Sequence, residues 1–119
     1  MTTATALDDK RYRQLVDDLF AYIDRAFEPV DPDLAESTVS QGTLTILLQG
    51  RTRFIISPQP PVRQVWAAYR DQAWHFDLDP QTGSWMDDRG RGLELLTLVE
   101  RITHEGSGAT VAVPRVERS

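Results

Sequence analysis

The spacing of the apolar residues changes twice along the chain, and this change limits the folds that it can adopt. In residues 7–28 apolar residues recur every three to four positions, as on one face of an amphipathic helix. From about residue 35 they alternate with polar residues, as in strands whose two faces differ in surroundings. Helical spacing returns in residues 93–105. The sequence therefore predicts a helix, a run of strands and a second helix.

The predicted strands are joined by short connections, which favours antiparallel pairing because parallel strands need long crossovers. The fold class is therefore predicted to be α+β, a two-layer sandwich with two helices on one face of an antiparallel sheet. We expect the apolar segment 109–113 to dock on this body or to form a last short strand. The predicted strands span residues 35–40, 43–48, 52–57, 62–69, 74–79 and 84–88.

The buried face of each helix can be assigned from the same spacing. Asp8 or Asp9 can cap the start of the first helix, and Pro29 and Pro32 mark its end. The predicted buried residues are Tyr12, Leu15, Val16, Leu19, Ile23, Ala26 and Phe27 in the first helix, and Leu95, Leu96, Val99 and Ile102 in the second.

Length and composition narrow the class of protein. A chain of 119 residues suits one domain, which we place at 1–119 with an ordered core at about 7–113. The chain has no cysteine, which excludes disulfides, thiolate metal sites and thiol catalysis. The N-terminal residues lack a secretory signal pattern, and no apolar run is long enough to span a membrane. We therefore expect a soluble, cytoplasmic protein.

Negative charge is concentrated in the first third of the chain. The net charge is −5, and residues 1–36, with nine acids and four bases, account for all of it. An acidic chain of this kind is not expected to bind nucleic acid, which requires a basic surface. Seven carboxylates lie within residues 17–36, and we refer to them together as the acidic ridge: Asp17, Asp18, Asp24, Glu28, Asp31, Asp33 and Glu36.

Three of these carboxylates should form a row on the first helix. At 100° per residue, Asp24 and Glu28 fall within about 20° of Asp17, on a side that should face solvent. The C-terminal end of a helix carries partial negative charge, so each acid there costs about 0.3–1 kcal/mol. The like-charge pair of Asp24 and Glu28 adds about 0.2–0.5 kcal/mol. A plain solvated surface, a site for hard cations and a docking face for a basic partner all remain open from these residues.

An ordered set of segments resembles the frataxin family. The segments are the acidic first helix, GTLTI, QVW, HFD, the tryptophan in GSWMDDRG and the leucine-rich second helix, and they span residues from about 12 to 113. The resemblance implies a frataxin-like sandwich and a regulator, adaptor or iron donor in iron–sulfur cluster assembly. It implies weakly bound Fe²⁺ or Fe³⁺ as cofactor, with the acidic ridge as the metal site. Thr38, Pro29 and Arg25 depart from the family pattern, which implies a thinner ridge.

The resemblance also implies partners. The expected partner is the cysteine desulfurase of cluster assembly, with its scaffold protein as a further candidate. The expected contacts are Asp24 and Glu28 on the ridge, and Gln64 and Trp66 on the sheet. Strand alternation places Trp66 on the face away from the helices if Val65 points towards them. A tryptophan that only shields the sheet is equally compatible with the sequence.

The sequence leaves alternatives open for the role of His75 and for the function. Both a plain surface histidine and an auxiliary metal ligand are compatible with His75. We expect a protein without enzymatic activity, and the competing functions are a metal-independent protein-binding module and a ferroxidase that stores iron. No Glu-x-x-His motif supports the ferroxidase. We expect a monomer, with iron-dependent oligomers as the alternative, and no contact with membranes.

Overall fold

The structure, a computed structural model, describes residues 7–115; the first six and last four residues of the predicted domain lie outside the described residues. All six strands form one antiparallel sheet in the order of the sequence. The predicted α+β class is confirmed. The elements are α1 Asp9–Ala26, β1 Ala35–Ser40, β2 Thr43–Leu48, β3 Thr52–Gln59, β4 Gln64–Tyr69, β5 Gln72–Leu78, β6 Trp85–Asp87 and α2 Leu95–Ser107.

Helix α1 begins where its cap predicts and ends slightly earlier than expected. The side chain of Asp8 accepts a hydrogen bond from the backbone N–H of Arg11 at 2.8 Å, which satisfies one free donor of the first turn. The helix stops at Ala26, two residues before the predicted end. Its fully buried residues are Tyr12, Val16, Phe20 and Ile23. Phe20 was missing from the predicted stripe, whereas Leu15 and Leu19 pack only partly against the core.

The sheet buries one face against both helices. Alternate residues of neighbouring strands meet on this face; for example, Ile46 lies opposite Phe54, and Val65 lies opposite Phe76. All four of these side chains are fully buried. We call the other side, which no helix covers, the open face. The alternation predicted for the central strands is therefore confirmed.

The connection between β3 and β4 differs from the prediction. Residues 62 and 63 were expected to belong to the strand, but Pro60–Val62 forms a short 3-10 turn. Arg63 follows in the left-handed region with φ 53°. This turn reverses the chain, and β4 starts only at Gln64.

Helix α2 and the segment after it complete the core. The side chain of Glu94 caps α2 by accepting hydrogen bonds from the backbone N–H groups of Leu96 and Thr97. The four residues predicted to be buried in α2 are buried. In the described residues neither helix is long and apolar enough to cross a lipid bilayer.

The apolar segment 109–113 docks on the body and forms no strand. Val111 and Val113 are buried in the main core. Arg115 fastens the segment to α2, with Nε 2.9 Å from a Glu94 carboxylate oxygen and Nη1 3.1 Å from a Glu100 carboxylate oxygen. These contacts lower the pKa of Glu100 and raise that of Arg115, although burial opposes both shifts. Of the two predicted outcomes, docking is the one observed.

A buried hydroxyl ties α1 to the β3–β4 connection. The Tyr12 hydroxyl donates to the backbone oxygen of Gln64 and accepts from the backbone N–H of Gln59 at 2.9 Å. Burial raises the pKa of Tyr12, so this hydroxyl stays a donor over the physiological range. Tyr12 thus holds the start of β4 against the helix.

Replacing this hydroxyl should destabilise the protein more than replacing an exposed one. Tyr12→Phe leaves a part-buried N–H and a part-buried carbonyl without partners, and we expect the free energy of unfolding to fall by about 1–3 kcal/mol. Tyr22→Phe is the matched control, because the Tyr22 hydroxyl donates to the Pro114 oxygen at an exposed position. Chemical denaturation of both variants gives the comparison. Equal losses in the two variants would contradict the role given to Tyr12.

Candidate metal-binding and docking surface

The first part of the acidic ridge lies along α1 where the helix passes the edge of the sheet. Asp17 is exposed, whereas Asp24 is only partly exposed because its side chain faces β1. The Ser37 hydroxyl donates a hydrogen bond to the Asp24 carboxylate. The expectation that the whole row of three acids faces solvent is therefore wrong for Asp24, which also helps to hold α1 against β1.

A shallow groove separates α1 from the turn between β1 and β2. Asp17 and Asp24 contribute its two carboxylates, and Phe20 and Val39 contribute apolar surface. Its volume is about 290 Å³. Val39 is 43 % exposed although it lies on the helix side of β1. The structure therefore brings two of the predicted ligand residues to the rim of one groove.

The next acids surround the chain that leads from α1 into β1. Glu28 and Asp33 are exposed. The side chain of Asp31 accepts from the backbone N–H of Asp33 at 2.9 Å, and its backbone oxygen accepts from Leu34 and Ala35. Asp31 therefore has a local role in forming this turn. Its second carboxylate oxygen has no hydrogen bond among the described contacts.

Two members of the acidic ridge lie apart from the others. Asp18 lines a different groove, between α1 and the β5–β6 turn. Glu36 is opposite Leu47 in the β1–β2 register and so lies on the open face, whereas Ser37 and Asp24 meet on the helix side. The seven acids thus spread over a curved edge of the molecule and do not surround one point.

The electrostatic state of the ridge follows from its partners. Within residues 7–115, no ion pair within 4.0 Å involves any of the seven carboxylates. In the same residues no group of three or more Asp, Glu or His side chains is arranged to hold one metal ion. The ridge is therefore an uncompensated negative surface without a preformed chelating cage.

A second polar surface lies on the open face of β4 and β5. Trp66 is half-buried there, and its indole Nε1 donates to the Gln64 side-chain oxygen at 2.8 Å. The Gln64 amide nitrogen then donates to Asp77 and Asp88, each at 3.1 Å. The side of the sheet predicted for Gln64 and Trp66 is confirmed. Their hydrogen bonds fix the orientation of the indole.

Sequence reasoning missed three residues that contact the predicted ones. Asp77 could have been found, because strand alternation puts it on the same face as His75, opposite Gln64. Asp88 could not, because it follows β6 and its position depends on a backbone hydrogen bond to the His75 oxygen at 2.9 Å. Ser37 could have been placed on the helix side of β1, but nothing in the sequence pairs it with Asp24.

Comparison with known families identifies the family to which this α+β sandwich belongs. A family model described as "Frataxin-like domain" matches residues 5–109. The chain belongs to the frataxin family. The match covers α1, the whole sheet and α2, so it includes every member of the acidic ridge as well as Gln64 and Trp66.

Two curated relatives carry the same name. The chain is 33 % identical over 111 residues to the iron–sulfur cluster assembly protein CyaY of Azotobacter vinelandii, covering 93 % of this chain and 99 % of that one. It is 34 % identical over 108 residues to the protein of the same name from Pseudomonas aeruginosa, covering 91 % of this chain and 98 % of that one. This frataxin family member therefore aligns with its relatives over nearly their full length.

Solved structures agree with the fold. The frataxin of Psychromonas ingrahamii, a member of the CyaY family, superposes with a TM-score of 0.81 at 30 % identity, over 90 % of this chain and 98 % of that one. A trimeric frataxin from the yeast Saccharomyces cerevisiae, complexed with ferrous iron, gives a TM-score of 0.67 at 23 % identity, over 79 % of this chain and 86 % of that one. The yeast protein is a likeness of fold alone.

The uncompensated charge beyond α1 should be measurable as a stability cost. Glu28 is exposed and has no ion pair, so Glu28→Lys removes an unfavourable interaction with the helix end. We expect the free energy of unfolding to rise by about 0.3–1 kcal/mol at low ionic strength. The gain should shrink in high salt because the charges are screened. Denaturant titrations at two salt concentrations measure it, with Asp71→Lys in the exposed β4–β5 turn, away from any helix end, as control. A stability loss in Glu28→Lys contradicts the interpretation.

Proposed function

We propose that this protein acts in iron–sulfur cluster assembly as an iron-binding regulator or adaptor, and that it can donate iron. One observation carries the proposal: carboxylates gather around the negative end of α1 with no counter-ion among the described residues. Such an arrangement costs stability locally. A cation or a basic partner that lands on the ridge would relieve that cost. Family membership and the names of the relatives support the assignment.

The chemistry of the ridge suits weak and exchangeable iron binding. Carboxylates are hard oxygen ligands, and no thiolate is present in the chain. Asp17 and Asp24 line one groove, but they are two helical turns apart, about 10 Å along the axis, so each would contribute a separate ligand. The other acids would add ligands singly, together with water. Weak binding of this type is compatible with a protein that passes iron on.

The same surface can dock to the cysteine desulfurase of cluster assembly. An uncompensated negative edge raises the association rate with a basic surface. Gln64 and Trp66 offer a separate contact on the open face, where a half-buried tryptophan can anchor a partner such as the scaffold protein. The two surfaces could therefore engage two proteins at once. We propose a cytoplasmic monomer that forms oligomers only with iron.

A metal-independent protein-binding module is the second candidate. It is favoured by the lack of a chelating group of three or more side chains in residues 7–115. The same observation disfavours a ferroxidase, whose chemistry uses clustered Glu and His ligands. We propose no catalytic activity for this protein.

Iron should bind locally on the ridge. In an anaerobic NMR titration with Fe²⁺, we expect amide signals of residues 17–36 to broaden first, because the bound ion is paramagnetic. Signals of α2 should be spared. The triple variant Asp17→Asn, Asp24→Asn and Glu28→Gln should lose this broadening, with Asp71→Asn in the β4–β5 turn as control. Broadening spread evenly over the surface would show that the acidic ridge is not the iron site.

Regulation should depend on the charge of the ridge. We expect added protein to change desulfurase turnover in the presence of Fe²⁺, and Asp17→Lys with Glu28→Lys to abolish the change, since the basic partner would then meet like charge. A protein carrying Asp71→Lys and Glu105→Lys has the same net charge and should behave as the wild type. An effect that a chelator leaves intact supports the metal-independent module. An effect that survives reversal of the ridge contradicts the proposed docking face.

A further inference from the structure

The indole of Trp66 rests on the imidazole of His75. The two rings are opposite each other in the β4–β5 register, with centroids 4.1 Å apart and planes 15° from parallel. The side chain of His75 is 40 % exposed. One face of the indole is thus covered by a titratable ring, and on the other side the residue opposite Trp66 in the β3–β4 register is the small Ser57.

A carboxylate lies beside the histidine. The Nδ1 atom of His75 is 3.7 Å from an Asp88 carboxylate oxygen, and Asp88 is 29 % exposed. Gln64 links Asp88 to Asp77, and its own side-chain oxygen accepts from Trp66. The charged groups in this network are two carboxylates, one from the strand of His75 itself and one from the segment after β6. Strand β4 contributes only the neutral side chains of Gln64 and Trp66.

This arrangement suits a proton better than a metal ion. The imidazole packs flat against an indole, and the two carboxylates are bridged by an amide. None of the groups of three or more acids and histidines within residues 7–115 is arranged to hold a metal ion. A charged imidazole, in contrast, gains both from the carboxylate beside it and from the aromatic face above it.

We propose that His75 is a pH-dependent positioning residue for Trp66, so that protonation of its imidazole strengthens partner binding at the open face. The inference rests on the proposed role of Trp66 as an anchor. When His75 is charged, it pairs with Asp88 and attracts the indole as a cation, which holds Trp66 in one orientation. When His75 is neutral, both attractions weaken. A held side chain loses less conformational freedom on binding, so affinity rises as the pH falls through the range in which histidine titrates.

The coupling can be measured without any partner. Trp74 and Trp85 are buried, so Trp66 is the tryptophan most open to solvent among the three in the chain. A charged imidazole quenches a stacked indole, and we expect emission to fall between pH 8 and pH 5 in one transition. His75→Gln should remove the transition. His104→Gln changes the only other histidine, which is exposed on α2, and should leave the transition intact. A transition that persists in His75→Gln overturns the proposal.

Partner binding supplies the second test. With purified desulfurase–scaffold complex as the probe, we expect wild-type affinity to be about two- to five-fold higher at pH 6 than at pH 8. His75→Gln should flatten this dependence, and His104→Gln should retain it. A pH dependence identical in His75→Gln and wild type overturns the proposal even if the fluorescence transition is found.

A tryptophan variant separates failure of this inference from failure of the proposed function. If Trp66→Ala binds the complex as well as the wild type, the open face is not the contact, and both the proposed anchor and the inference built on it fall. If Trp66→Ala binds weakly while His75→Gln keeps the wild-type pH dependence, the anchor stands and only the inference is lost. Circular dichroism of each variant shows that it is folded.

Discussion

Burial of a single face of the six-stranded sheet is the interaction on which the rest of the structure depends. Both helices and the docked C-terminal segment pack on the same side, and the buried apolar side chains of the strands point to it. The opposite face carries no apolar cover, so its side chains are free to form a polar network around Trp66. Helix α1 passes the edge of the sheet at β1, so the acids of that helix are displayed beside an edge strand. Both proposed surfaces are thus consequences of the one-sided core.

Acidic side chains in and near the acidic ridge have two uses: some stabilise the fold, and others are available for function. Asp8 and Asp31 satisfy backbone N–H groups at the start of α1 and in the turn after it. Asp24 accepts from Ser37 and connects the helix to β1. The side chains of Glu28 and Asp33 are exposed and enter no hydrogen bond or ion pair found in the described part of the chain. The exposed acids therefore form the part of the ridge for which the fold itself offers no explanation, and they carry most of the functional argument.

The sequence was sufficient to predict the helices and strands, but it did not predict the contacts between distant segments. Periodicity identified both helices and all six strands, because a one-sided core imposes alternation on every strand and a stripe on each helix. Phe20 was not predicted to be buried because, on the helical wheel of α1, it lies at the margin of the predicted apolar stripe. The bond from Ser37 to Asp24 and the approach of Asp88 to His75 join segments 13 residues apart in the chain. Such contacts depend on turn geometry, which composition and spacing do not determine. The family resemblance supplied the proposed roles, and no physical pattern alone would have selected iron.

The docked C-terminal segment has a consequence for the order in which the molecule is assembled. Val111 and Val113 fill the core, and Arg115 is fastened to the first turns of α2 by two carboxylates. These residues leave the ribosome after both helices and the whole sheet, because synthesis proceeds from the N-terminus. The core of the nascent sheet is therefore incomplete until this segment has emerged, and its apolar side is accessible to chaperones or to other nascent chains during that interval. Native packing is completed only when the segment has docked.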